Sequence, residues 1–248
     1  MGPSHGRPPQ RPFASRTAGL LLRLPAGLLL TTWRYLWRVT ALHRAEEEGD
    51  GSDLPPPLPA DLADGAVQRL GDGFGPLLHR RFTVRIEEAS SDPAALLDTV
   101  AHNLDRPAPF GVAEFRKTLG DEEDARVGHE YRVKMPGPWD GPVRVVHRDA
   151  TSLRLATLKG HLEAGQVEFR TAAQEGFLCF EVEAWARAGD RLADLVYGRL
   201  RVAKEVQFNM WVHFCLRVAR IAGGRPHGGV SILTRVVDPE LCRGAEDR

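Results

Sequence analysis

The chain is poor in the residues that most directly announce chemistry. Its 248 residues include only three cysteines, Cys179, Cys215 and Cys242, an odd and widely spaced set. With no CxxC pair, a zinc site, a thioredoxin-like motif and a disulfide framework are all disfavoured, which fits a reducing compartment. Cys179 falls in an apolar strand pattern and Cys215 in a helical one, the setting of inert buried thiols. Net charge is missing too. Lysine plus arginine number 33, and so do aspartate plus glutamate, so gripping nucleic acid is not expected. Lysine itself is scarce, 4 against 29 arginines, a skew that reads as coding bias. In the basic leader no uncharged run exceeds the ten residues Leu24–Trp33, about half of a bilayer span. No GxSxG, HExxH, Walker or dinucleotide fingerprint is present. The glycine cluster Gly71–Gly75 does not sit between a strand and a helix. His5, His43, His79, His102, His147 and His227 are dispersed without metal spacing. Neither a metal nor a cofactor is expected.

What is present suffices for a full core: 42% of residues are hydrophobic and 27% charged. Residues 1–18 are rich in Pro, Gly, Ser and Arg and read as disordered. The first 45 residues carry seven arginines and no acid. An apolar patch from Gly19 to Leu30 resembles a signal peptide until Arg23 and Pro25 interrupt it, and no small-x-small site follows. Pro25 suits the first turn of a helix running to about His43. Arg34 and Arg38 share one side of it, away from Leu29, Trp33 and Leu36. Two readings fit that stripe: an interfacial helix drawn to anionic lipid, or a helix docked on its own domain with arginines outward. From Glu46 to Asp64 the charge reverses, with seven acids and no base. The Pro55-Pro56-Pro57 run there reads as a linker. The expected organisation is a basic segment at 1–45, an acidic linker at 46–74, a domain at 75–222 and a tail at 223–248.

Phe82, Val84 and Ile86 alternate with Thr83, Arg85 and Glu87, a strand. Asp92-Pro93 then opens a helix with Leu96, Leu97, Val100 and Leu104 on one face, and Pro107 and Pro109 end it. Five strands follow at Val127–Met135, Val143–His147, Leu153–Leu158, Gln166–Thr171 and Phe177–Ala186. A long helix from about Arg191 to Ile221 comes next, closed by Gly223-Gly224. This order predicts an α+β fold with a curved antiparallel sheet wrapped around a long C-terminal helix, plus an N-terminal helical extension. Such a helix-grip arrangement tends to leave an elongated apolar cavity.

The stretch Thr157-Leu158-Lys159-Gly160-His161-Leu162-Glu163-Ala164-Gly165-Gln166-Val167-Glu168-Phe169 resembles the TLxGHxExGxxxF signature of the DUF1990 family, a domain of unknown function. The strand Phe180–Arg187 and the long helix also fit, so the likeness covers about 75–222. Trp33-Arg34-Tyr35-Leu36-Trp37-Arg38 is similar to the extension of longer actinobacterial members. Many members have proline where this chain has Leu162. The resemblance implies a START-like fold of the polyketide-cyclase superfamily (SRPBCC), with a pocket, and supplies no reaction.

His161 and Glu163 offer a base near neutral pH and a carboxylate to orient it, and Glu181 in an apolar cavity would become a general acid. The competing structural reading has His161 and Glu163 holding loop backbone and Glu181 paired across strands. His129 and Tyr131 share the inward face of one strand, either as a satisfied core pair or as pocket lining. Trp185 lies on the face of Glu181. Lys204, Gln207 and Trp211 recur at i, i+3 and i+7 on the long helix, where they would line the cavity mouth or pack on the sheet. These residues predict binding of a small hydrophobic or lipid-like ligand through His129, Tyr131, Trp185, Gln207 and Trp211, in a cytoplasmic protein that contacts an anionic membrane surface through residues 25–43. The alternatives are a cyclase or isomerase using His161, Glu163 and Glu181, and an interaction module whose leader docks a partner.

Overall fold

Period-two alternation builds most of this protein. The structure is a computed structural model that describes residues 42–109, 113–120, 124–134, 140–190 and 202–245. Its strands are β1 (Leu42–Glu48), β2 (Phe74–Glu87), β3 (Glu114–Leu119), β4 (Glu130–Lys134), β5 (Asp140–Arg148), β6 (Ser152–Thr157), β7 (Glu163–Gln174), β8 (Phe177–Ala188) and β9 (Arg225–Val237). Helix α1 spans Pro93–His102, α2 Val202–Ile221 and α3 Pro239–Ala245. The strands form one sheet in the order β1-β9-β2-β8-β7-β6-β5-β4-β3. Every pairing is antiparallel except β1 with β9, which is parallel, so the sheet is mixed rather than purely antiparallel.

The inner face carries Phe82 and Val84 of β2, Phe180 and Val182 of β8, Phe169 of β7, Leu153 and Leu155 of β6, Val143 and Val145 of β5, and Val230 and Ile232 of β9. All join one buried cluster with Phe208, Trp211, Phe214, Cys215 and Val218 of α2. That convergence of distant strands on one helix is the helix-grip arrangement. Phe169 stacks on Phe214 at 5.2 Å and meets Trp211 edge-on at 5.8 Å, packing that aromatic pairs prefer. Asp92 caps α1 by accepting from Ala95 N at 2.9 Å, and Pro93 follows in the first turn. At the end of α2, Gly223 N reaches Arg220 O and Gly224 N reaches Ala219 O, with Gly223 at φ 75, the closing geometry glycine supplies.

Several expectations need correction. Residues 25–41 and 191–201 lie outside the described residues, and with them most of both expected helix starts. Leu42 and His43, placed at the end of an N-terminal helix, begin strand β1. A strand not among those expected, β3, runs through Phe115 between α1 and β4. The supposed linker is a strap across the outer face of the sheet. There Leu58 and Leu62 pack on Val146, Ala156 and Leu158, while Leu54 and Leu70 pack on Leu77, Trp185 and Val237. Its prolines separate apolar residues that need cover, so polyproline composition here serves packing. The supposed tail contributes β9, an interior strand whose Val230, Ile232 and Thr234 alternate inward. It completes the edge of β2 that would otherwise present unpaired backbone groups.

Candidate ligand-binding interior

The signature stretch owes its composition to one corner between β6 and β7. Gly160 sits at φ 99, where a side chain is strained. Thr157 Oγ1 accepts from Gly165 N at 2.9 Å and lies within 3.1 Å of Gly165 O. A Cβ on Gly165 would fall 1.9 Å from Trp185 O, so β7 and β8 approach closely only because that side chain is absent. Gln68 of the strap ties the corner down, with its Oε1 accepting from Gly160 N at 3.1 Å.

His161 is buried in this corner, and its Nδ1 accepts from Glu163 N at 2.8 Å. Burial pushes its imidazole down to about 4, against a smaller opposing effect of the Glu163 backbone. The ring is therefore neutral at pH 7, and one of its two nitrogens is committed to the backbone. Glu163 turns toward α2, where its Oε1 accepts from Gln207 Nε2 at 2.7 Å. Gln207 Oε1 in turn accepts from Nη1 of Arg80. Arg80 is fully buried on the inner face of β2, with its guanidinium carbon 5.0 Å from the Phe208 ring centre. Arg44 approaches the same ring at 4.9 Å, so Phe208 serves two cations. Glu163, Gln207 and Arg80 thus form a polar ladder from β7 through α2 to β2.

Two further inner-face groups differ in kind. Tyr131 on β4 and Trp211 on α2 are each 6% exposed. The Tyr131 hydroxyl and the Trp211 Nε1–H are buried without a hydrogen-bond partner. Burial and, secondarily, Asp124 push the Tyr131 phenol up to about 12, so it stays an O–H donor at any physiological pH. Both groups belong to the apolar cluster between sheet and helix.

The other expected site residues lie elsewhere. His129 sits at the edge of the sheet, with Nδ1 3.1 Å from Asp124 O and 3.3 Å from Lys117 Nζ. Glu181 is on the outer face, where Arg170 Nη2 reaches it at 3.0 Å and Thr83 Oγ1 donates to it at 3.0 Å. It is separated by the sheet from Glu163, so the trio His161, Glu163 and Glu181 is not assembled. Trp185 is also on the outer face, stacked on His79 with ring centres 5.4 Å apart. Lys204 lies in α2, at its first turn.

The structure also joins residues that the sequence pattern did not single out. His79 Nδ1 meets Asp53 Oδ1 at 2.9 Å and its Nε2 meets Glu183 Oε1 at 2.6 Å, all three buried. Burial lowers the His79 pKa, and Asp53 pulls the other way. Burial would raise Asp53, but the Asp50 backbone, His79 and Arg235 together hold it below the usual carboxylate value. This cluster pins the strap to the sheet. Its residues were hidden because Asp53 falls in an acidic run that reads as solvated. Arg80 could have been found, since it occupies the apolar parity of Phe82, Val84 and Ile86. Cys179, Cys215 and Cys242 are buried thiols outside any disulfide, and burial pushes the Cys215 thiol far up. No group of three or more His, Cys, Asp or Glu among the described residues could hold a metal ion.

No protein of curated function matches this chain in sequence. Solved structures of similar shape include a conserved protein from Geobacillus kaustophilus, 10% identical, covering 60% of this chain and 99% of that one at a TM-score of 0.40. Major latex-like protein 151 of Panax ginseng is 13% identical, over 55% of this chain and 97% of its own, with a TM-score of 0.35. Protein Ms6760 of Mycobacterium smegmatis is 12% identical, over 53% and 87%, with a TM-score of 0.35. The family model described as a domain of unknown function, DUF1990, matches residues 69–215, which take in the whole Gly160–Gly165 corner and most of α2, and the chain belongs to that family.

Proposed function

We propose that this protein binds a small, largely apolar molecule between the inner face of the sheet and α2. The observation that carries the reading is the pair of buried donors, Tyr131 O–H and Trp211 Nε1–H, left without acceptors in an apolar wall. An unpaired buried donor costs about 1–3 kcal/mol, and a guest with oxygen acceptors would offset that cost. The ligand class that fits is therefore hydrophobic, with a carbonyl, ester or ether oxygen. Gln207 and Glu163 stand on the same inner side of the sheet, joined through the polar ladder to Arg80.

Native mass spectrometry of the full chain after mild extraction should reveal a co-purifying hydrophobic molecule. Tyr131→Phe should weaken its retention by about tenfold, the loss of one buried hydrogen bond. A protein that carries no such molecule and binds none of a panel of apolar ketones and esters would overturn the proposal.

An enzyme reading, a cyclase or isomerase of a hydrophobic metabolite, draws on one observation: Glu163 reaches α2 from the inner face. Proton transfer would then fall to Glu163, with His161 kept neutral beside it. Glu163→Gln should abolish turnover while ligand retention persists, and undiminished turnover would remove the acid–base role. We further propose a cytoplasmic location peripheral to the membrane, supported by the three buried cysteines outside any disulfide and by the basic, Trp-bearing run in residues 25–43. Among the described residues no helix is long and apolar enough to cross a membrane. Deleting residues 1–41, which spares β1, should shift the protein out of the membrane fraction, and unchanged fractionation would contradict the proposal.

A further inference from the structure

Strand β1 stands at one end of the sheet. On one side it pairs in parallel with β9, Leu42 opposite Val230 and Glu48 opposite Val236. Among the described residues no strand covers its other side. Within its span His43–Glu48 are all exposed. A strand so placed offers a row of backbone N–H and C=O groups to any chain that can pair with them.

The sequence of β1, Leu-His-Arg-Ala-Glu-Glu-Glu, says which chain fits. Its neighbours fix its two faces. Arg44 lies over the ring of Phe208 on the inner face. Glu47 meets Arg235 on the outer face, where Arg235 also holds Asp53 of the strap. Alternation then gives Leu42, Arg44, Glu46 and Glu48 to the inner face and His43, Ala45 and Glu47 to the outer one.

A second copy joined edge to edge by a two-fold axis runs antiparallel to the first. Residues directly opposite each other in a ladder share a face, so the axis stands perpendicular to the sheet and passes beside one residue paired with its own copy. Centred on Arg44, the pairing sets guanidinium against guanidinium. Centred on Glu46 or Glu47, it sets carboxylate against carboxylate. Centred on Ala45, it sets Arg44 opposite Glu46 on the inner face and His43 opposite Glu47 on the outer face, each twice, with methyl groups at the axis and Leu42 opposite Glu48 at the ends. Opposite charges directly across a ladder stabilise it, and like charges weaken it. The far edge of the sheet, β3, has no such register: Arg116 and Lys117 occupy its middle, and a two-fold centre on either one opposes two cations.

We propose that this protein forms a two-fold dimer through β1, in the register centred on Ala45, so that the sheet runs on from one copy into the next. The partner is a second copy of this chain. The three glutamates that would repel an unrelated acidic edge find their complement in His43 and Arg44 of the second copy.

The test uses the full chain at near-physiological salt. Sedimentation velocity at micromolar concentration should show a species of twice the chain mass. Glu46→Arg opposes like charges at both Arg44–Glu46 positions and should weaken the dimer by about tenfold or more. The double variant Arg44→Glu with Glu46→Arg exchanges the charges, keeps their complementarity and should restore the dimer. Register is read by crosslinking. Ala45→Cys should give a covalent dimer under mild oxidation, because the two new thiols face each other across the axis. His43→Cys should crosslink to Glu47→Cys when the two variants are co-expressed, and not to itself. The native cysteines are all buried, so the parent chain supplies the uncrosslinked control. Crosslinking decides the matter even where a charge variant fails to fold. A monomer at every concentration, a ladder of larger species, a dimer indifferent to Glu46→Arg, or a dimer in which Ala45→Cys does not crosslink would each overturn the proposal.

Discussion

Gly165 to alanine is the sharpest test of how the signature corner is built. The new Cβ would lie 1.9 Å from Trp185 O, with Trp185 C at 2.9 Å and Ala186 Cα at 3.2 Å. The obstacles are all backbone atoms of a central strand, so no rotamer change relieves them. Gly165 also sits at φ 153, a backbone conformation that costs an alanine about 1–3 kcal/mol. Forcing β7 away from β8 adds an overpacking cost of about 1–3 kcal/mol. The two together give a loss of about 2–6 kcal/mol, a large share of a typical domain's stability. Two other glycines separate the contributions. Gly176 has φ 83 and nothing within 4 Å of its Cβ position, so Gly176→Ala should cost only the backbone strain, about 1–2 kcal/mol. Gly51 is open and carries no such φ, so Gly51→Ala should stay within about 0.5 kcal/mol of the parent. Urea unfolding followed by circular dichroism, with m unchanged across the series, measures all three. If Gly165→Ala proves no costlier than Gly176→Ala, the close approach of β7 and β8 is not what demands the glycine.

Other outcomes follow from the polar clusters. His161 is held at about 4 by burial, while its unfolded value is 6.5. Its contribution is therefore complete above about pH 6.5 and is lost as pH falls toward about 4, by about 3 kcal/mol at most. His161→Asn, whose oxygen can still accept from Glu163 N, should flatten stability across that window, and an undiminished slope would contradict the assignment. Gln207→Leu removes two hydrogen bonds to charged groups and should lower stability by about 3 kcal/mol, read as a fall in Tm. A loss below about 0.5 kcal/mol would show that the ladder is idle. Asp53→Ala takes the shared acceptor from His79 and Arg235. It should speed tryptic cleavage after Arg69 by about tenfold or more as the strap loosens, and an unchanged cleavage rate would mean the strap is held by its leucines alone.

Much of the architecture was legible because period-two and helical patterns report burial. Phe180, Val182 and Ala184 alternate inward on β8 as their apolar parity implies, and the Gly223-Gly224 stop stands where α2 ends. The strap was not legible, because Leu54, Leu58 and Leu62 lie singly among prolines and acids and follow no period. Strand β9 was missed for a different reason: Pro226, Gly228 and Gly229 break up its first half, though Val230, Ile232 and Thr234 keep the alternation. Within the site, Glu163 and Gln207 do meet, while Glu181 and Trp185 face the other way. Strand parity places those two opposite Phe180 and Val182, yet which face houses a ligand depends on what covers each side, and the cover comes from segments remote in sequence. Arg80 shows the complementary lesson: a charge on an apolar parity marks a buried partner.

The position of β9 also sets the order in which a newly made chain can finish folding. β1 and β2 are both translated early, yet the strand that joins them comes from residues 225–237, and His43 bonds Gly228 across 185 positions. At typical elongation speeds of 5–20 residues per second, β2 waits roughly ten to thirty seconds with a bare edge. During that interval the nascent polypeptide offers a ready template for intermolecular pairing, so dependence on ribosome-associated chaperones is expected during synthesis. A stop codon at Val230 would cost far more than the residues it removes, because every partner of the first strand lies at 230–236 and that strand would have no rail to lie along.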